Sequence, residues 1–169
     1  MKKLTVLPAI ILILSLVFAS CEAPAFIKDF MPEKSFRVHM TATKSAQSFE
    51  ADIICLNSED ITISFTYPQE LSGFSVKTTE NGYTVNVFGI PDEISDSQLN
   101  DNSLLNVLIS TLRLSVFSNH GLFTKTEDYY EANLTVDSIP VFVKFDKDGY
   151  ISQIKAETLD FYGEFKYFS

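Results

Sequence analysis

Ile61-Thr62-Ile63-Ser64-Phe65-Thr66-Tyr67-Pro68 is the stretch from which the fold is read. Large apolar and hydroxyl side chains alternate with a period of two, which puts every large side chain on one face of a strand and every Thr or Ser on the other. One face must meet a core and the other water. Pro68 has no N–H to donate, so the ladder ends there. The same alternation extends outward from this stretch. Phe36, Val38 and Met40 predict a strand, and Phe49, Ala51, Ile53 and Cys55 predict the next. Phe74 to Thr78 and Tyr83 to Phe88 flank Glu80-Asn81-Gly82, and Asn-Gly is the strongest short hairpin signal. Val141 to Phe145 and Tyr150 to Ala156 flank a second hairpin turn, Asp146-Lys147-Asp148-Gly149, and a last strand from Leu159 to Phe168 is bent at Gly163. Polar residues hold the alternate positions throughout, which describes an antiparallel sheet with one wet face.

One segment breaks the period. From Asp101 to about Phe117, the side chains of Leu104, Leu105, Leu108, Ile109, Leu112 and Val116 gather on one face of a helix, widened by Val107 and Leu114. Asn106, Ser110 and Arg113 leave only a narrow polar strip, so such a helix must be covered on most sides. Asp101, Asn102 or Ser103 supplies its N-cap. Leu112 to Val116 also alternates like a strand, which leaves the end of the helix open by several residues. The acidic run from Gly89 to Asn100 reads as a loop. The class that follows is α+β, mainly β: an antiparallel sheet with one wet face, together with one helix buried on most sides.

The beginning of the chain carries an address. Met1-Lys2-Lys3 is a positive start, followed by an apolar run to Phe18 of about 15 residues, shorter than the ~20 that span a bilayer. Leu16-Val17-Phe18-Ala19-Ser20-Cys21 resembles a bacterial lipoprotein signal, in which small residues precede the cysteine that is diacylated and becomes the mature N-terminus. The resemblance divides the chain into a signal peptide (1–20), an acylated Cys21 with a tether (21–35) and a domain (36–169). It implies an exported protein held by a diacylglycerol and a palmitate-type chain on Cys21, on the outer side of the cytoplasmic membrane or on the outer membrane. Ala23-Pro24-Ala25 is a competing cleavage site that would discard Cys21. The tether holds Pro24 and Pro32, and a coil of its length averages roughly 20 Å end to end. A short turn around Phe26, Ile27 and Phe30 that docks on the domain is the alternative.

Of 169 residues, 46% are hydrophobic and 21% charged, outside the range of disordered chains and enough for one core. The net charge of −9 becomes −11 when Lys2 and Lys3 are removed with no acid, which argues against nucleic acid and against attraction to anionic headgroups. Cys55 is then the one remaining cysteine and, on an apolar strand face, reads as a buried inert thiol. His39 falls on a polar strand face and His120 in a turn, and neither has a second metal-type side chain beside it in sequence. No serine-hydrolase elbow, zinc motif, paired cysteine motif or phosphate loop is present. Asp146-Lys147-Asp148-Gly149 starts like a calcium loop but continues as a strand. No cofactor, metal or enzyme activity is expected.

The order of strands, hairpin, helix and meander resembles the LolA/LolB-like group of periplasmic lipid-handling proteins. The likeness is carried by Phe49-Glu50-Ala51-Asp52, Tyr67-Pro68-Gln69-Glu70-Leu71, Glu80-Asn81-Gly82-Tyr83-Thr84-Val85, Val143-Lys144-Phe145-Asp146 and Asp148-Gly149-Tyr150-Ile151. The long N-terminal helix usual in that group has no counterpart here. The resemblance implies a curved antiparallel incomplete barrel, built as a meander, with the one buried helix covering its concave face and enclosing a hydrophobic cavity for an acyl chain of a lipid or lipoprotein. Ile63, Phe65, Val85 and Val87 are the expected wall, and Leu104, Leu105, Leu108 and Leu112 the expected lid. Whether Ile63 and Val85 share a face depends on register, which a slip of one residue reverses. Fifteen Phe supply broad apolar walls, and a sixteen-carbon chain gains on the order of 13 kcal/mol gross at ~0.8 per CH₂. Two alternatives stand beside a cavity: the Phe side chains and the helix fill the core completely, and the domain is a tethered interaction module contacting another envelope protein.

Replacing the acylated residue tests the address. Cys21→Ser is expected to abolish incorporation of labelled palmitate and release the protein from membranes, whereas unlabelled wild type with Phe26 as its first residue would mean cleavage after Ala25.

Overall fold

The computed structural model describes Phe30 and residues 32–95, 103–117 and 123–168. The signal segment, Cys21, Phe26, Ile27 and His120 lie outside these residues. Eleven strands and one helix follow in chain order: β1 (Phe36–Lys44), β2 (Gln47–Cys55), β3 (Ile61–Tyr67), β4 (Phe74–Thr79), β5 (Gly82–Val87), β6 (Ile90–Ser95), α1 (Leu104–Phe117), β7 (Phe123–Lys125), β8 (Tyr130–Val136), β9 (Ile139–Phe145), β10 (Ile151–Ala156) and β11 (Phe161–Tyr167). A short 3-10 turn, Glu157–Leu159, precedes β11.

All strands belong to a single antiparallel sheet in the order β6-β5-β4-β3-β2-β1-β11-β10-β9-β8-β7. Two meanders, one running outward from β1 and the other inward to β11, are joined where the first strand pairs with the last, from Val38 opposite Tyr167 to Lys44 opposite Phe161. The outer strands β6 and β7 do not pair with each other, so the barrel is open. One face of the sheet carries the core. Val38, Met40, Ala51, Ile53, Ile61, Ile63, Val76, Val143 and Phe145 on it are fully buried. The alternation read from Phe49 to Cys55 and from Ile61 to Ile63 is the alternation in the burial. Gly163 matters for close approach: a Cβ there would stand 3.1 Å from the ring of Phe161 and 3.5 Å from the sulfur of Met40.

Several elements differ from the sequence expectation. Residues 90–95, read as loop, form edge strand β6. Phe88 and Gly89 both have positive φ, 51° and 87°, which a two-residue turn matching strand twist requires, and the chain returns along β5. Pro91, Asp92 and Glu93 make this strand look like a loop, yet Pro and charges are how an edge is kept from pairing further. Strands β7 and β8 have no counterpart in the sequence expectation, and the β8–β9 hairpin turns through Asp137 and Ser138, again both at positive φ. The stretch Leu112 to Val116, ambiguous in period, is helical, and α1 runs to Phe117. Ser103 is a cap, its Oγ accepting from the N–H of Asn106 at 3.1 Å. Val107 is buried as expected, but Leu114 is 39% exposed and does not widen the buried face. No helix among the described residues is long and apolar enough to cross a membrane.

The packed body reaches back to Phe30. Its ring stacks on Tyr130 at 3.9 Å between centroids and meets Phe123 and Phe145 edge-on at 4.8 and 5.6 Å. The N–H of Glu33 donates to the carbonyl of Gly149 at 3.0 Å, so Phe30 and Glu33 both lie against the C-terminal meander. Aromatic pairs of this kind contribute roughly 0.5–1.5 kcal/mol each beyond their burial. Phe30→Ala is expected to cost about 2–3 kcal/mol in urea denaturation. A loss below about 0.5 kcal/mol would show that this stretch is tether and not part of the fold.

Candidate functional site

Register decides where the expected wall lies. Ile63 is opposite Val76 and Val76 opposite Val85, so Ile63 and Val85 share the inner face. Phe65 is opposite Ala51, and Phe74 is opposite Val87, which is opposite Ile90. A row of rings runs outward along this end of the inner face. Phe161 lies 6.2 Å from Phe49, Phe49 6.0 Å from Phe65, and Phe65 5.5 Å from Phe74. Exposure rises along it, from buried Phe161 and Phe49 through half-buried Phe65 and Phe74 to Val87 at 41% and Ile90 at 72%. The inner face thus opens to solvent toward β6.

The expected lid occupies a different part of that face. Leu108 and Leu112 are buried, and Leu104 and Leu105 are half-buried against the core. The backbone of α1 runs closest to β8 and β9. Asn106 Nδ2 donates to Asp137 in the β8–β9 turn at 3.0 Å, and the Asn106 amide oxygen is 3.3 Å from the Tyr83 hydroxyl at the start of β5. Arg113 Nε donates to the Ser58 carbonyl in the β2–β3 connection at 3.0 Å. The helix is therefore tied to one end of the N-terminal meander, and the turns at 68–73 and 88–89 lie at the opposite end, away from it. Ile63 and the four leucines belong to the packed core, whereas Phe65 and Val87 stand at an open rim away from the lid. Among the rim residues, the sequence places Phe74 in a strand without assigning it to the wall, and Ile90 falls in the stretch that reads as loop because Pro91, Asp92 and Glu93 follow it. The exposed Phe88 and Leu71 of the adjoining turns complete this apolar edge.

The outer face carries polar features. A groove of about 600 Å³ crosses β8, β9 and β10, lined by Asn133, Pro140, Phe142, Gln153, Lys155 and Thr158 among others. Because Asn133, Phe142 and Lys155 are register partners with outward side chains, it lies on the opposite side of the sheet from the expected cavity. On the same face His39 Nδ1 is 2.9 Å from Asp52 and Nε2 3.4 Å from Glu50, both on the neighbouring strand. These partially exposed groups form a cross-strand clasp with no nucleophile in it, as expected for a surface histidine. Among the described residues no three His, Cys, Asp or Glu side chains are placed to hold a metal ion. Asp146 caps its own turn, accepting from the N–H of Asp148 at 3.0 Å and of Tyr150 at 2.9 Å, which makes Asp146–Gly149 a hairpin turn.

Comparison with known proteins adds a fold likeness. No family model matches the chain, and no curated protein matches it. Among solved structures, it is similar to a LolA superfamily protein from Nitrosomonas europaea at 12% identity and a TM-score of 0.37, over 76% of this chain and 67% of that one.

Burial pushes the Cys55 thiol up to about 12, helped by the negative charge of Asp60, and burial likewise raises the Tyr167 hydroxyl. A buried thiol that stays protonated is a poor nucleophile. Native protein at pH 8 is expected to resist alkylation by iodoacetamide and to react only when unfolded. The proton is held in the folded state and released in the unfolded one above the usual thiol range. Stability is therefore present below about pH 9 and falls as pH rises toward 12, a slope that Cys55→Ala should reduce in denaturation measured across that window.

Proposed function

We propose that this is a non-catalytic, membrane-anchored bacterial envelope lipoprotein that binds an acyl chain or other elongated hydrophobic ligand on the inner face of its half-barrel. The observation that supports it most is the row from Phe49 through Phe65 and Phe74 to Val87 and Ile90. It is an apolar track that starts in the core and ends in solvent. A chain of methylenes laid along it buries apolar surface on both partners and needs no directional chemistry. The wall is Phe65, Val85 and Val87 with Phe74 and Ile90 added. The lid is α1, whose Leu108 and Leu112 lie in the core from which the track starts. Acylated Cys21 supplies the anchor, because an acidic domain gains nothing from anionic headgroups and two acyl chains hold a protein essentially permanently.

Uptake of N-phenyl-1-naphthylamine, followed by its fluorescence and by displacement with hexadecane, tests the reading. Wild type is expected to take up the dye. Phe74→Asp with Val87→Asp should weaken uptake by about tenfold or more while the far-ultraviolet circular dichroism is unchanged, since a carboxylate on the track must be desolvated by the ligand. Leu108→Ala should weaken uptake more than it weakens folding. A folded wild-type protein that takes up neither dye nor alkane overturns the reading. It would favour the interaction module, for which exposed Phe88 and Ile90 are the natural contact.

A further inference from the structure

We infer that Thr111 and Ser115 form a polar anchor on the inner side of α1 for an uncharged oxygen group, an ester or an alcohol, carried by the elongated apolar ligand. This rests on the reading above and names the chemistry of its ligand. The two residues are four apart, one turn of helix, and so stand on the same side as Leu108 and Leu112. They are 0% and 1% exposed. Neither hydroxyl has a hydrogen-bond partner. A hydroxyl in a helix ordinarily has the carbonyl four residues back within reach, and here neither takes it.

The contrast with Thr78 shows what a structural hydroxyl looks like in this fold. Thr78 is equally buried, and its Oγ1 donates to the carbonyl of Glu59 while accepting from the N–H of Ile61 at 2.9 Å. A buried hydroxyl without a partner costs free energy that Val or Ala at the same position would avoid. Two of them side by side, turned to the sheet, are donors waiting for an acceptor. Thr78, Thr111 and Ser115 are the buried polar residues among those described, so no buried cation accompanies the pair. An ionised carboxylate or phosphate brought there would be uncompensated. The matching group is therefore neutral. Both hydroxyls are covered, so a ligand reaches them only where α1 parts from the sheet.

The experiment uses the full-length protein and measures displacement of N-phenyl-1-naphthylamine by hexadecane, methyl palmitate and, at pH 8, palmitate. Wild type is expected to prefer methyl palmitate over hexadecane by roughly tenfold, as one or two hydrogen bonds allow, and to bind palmitate less well than its ester. Thr111→Val with Ser115→Ala should remove the preference, leave hexadecane binding unchanged and raise the melting temperature. Thr111→Ser, which keeps the hydroxyl, should retain the preference and serves if the double variant does not fold. Equal binding of ester and alkane by wild type, or a preference that survives loss of both hydroxyls, overturns the anchor. Failure of hexadecane itself to bind overturns the underlying reading instead.

Discussion

Pairing between the first and last strands is the constraint on which the rest of the molecule depends. Val38 to Lys44 lie against Tyr167 to Phe161, and this single seam turns two local meanders into one eleven-stranded sheet. Every other pairing is between strands adjacent in sequence, closed by short turns with little loop entropy. The β1–β11 seam closes nearly the whole domain, so it is the costly step, repaid by the core that both meanders share. Met40, Ala42, Phe161 and Phe165 bury their side chains along it. The missing Cβ of Gly163 lets the ring of Phe161 lie flat against the sheet between them.

The seam also explains why the site is where it is. A sheet joined at its middle and left open at its margins has two edges, and the chain must cross from one to the other between β6 and β7. That crossing contains α1, which is tied to the turns of both meanders through Asn106 and Arg113 and so fills one part of the inner face. One helix of fourteen residues cannot cover eleven strands. The uncovered remainder, from Phe65 to Ile90, is the geometric consequence of one helix on a wide sheet. Its edge strand is protected from further pairing by Pro91 and Glu93 on the outer side and by inward-pointing Asp92, which lies opposite Val85 between Ile90 and Ile94.

Polar side chains differ between the two faces. On the outer face His39 is clasped by Asp52 and Glu50, and Lys155 pairs with Glu157 at 2.7 Å. The buried polar side chains among the described residues are the hydroxyls of Thr78, Thr111 and Ser115. A ligand held against the last two would be recognised by length, width and one neutral polar group.

Much of this was legible in the residues. Period-two alternation in Phe49 to Cys55 and Ile61 to Phe65, the Asn81-Gly82 turn and the apolar wheel from Leu104 to Val116 determined antiparallel strands and a covered helix, because each is a local pattern with a local physical cause. The mainly antiparallel class and the buried state of Cys55 followed, and the half-barrel entered only as what the resemblance implied. Tertiary structure alone decided the rest, because it depends on residues far apart in the chain. Strand β6 exists because β5 offers it hydrogen bonds, whatever the weak propensity of Ile90-Pro91-Asp92-Glu93. Phe30 is docked because Tyr130 and Phe123 arrive beside it from a hundred residues away. Likewise, alternation could say that Ile63 and Val85 each face a core, but only register through Val76 could say that they face the same one. Only the placement of α1 over β8 and β9 could decide that Phe65 and Val87 remain in the open.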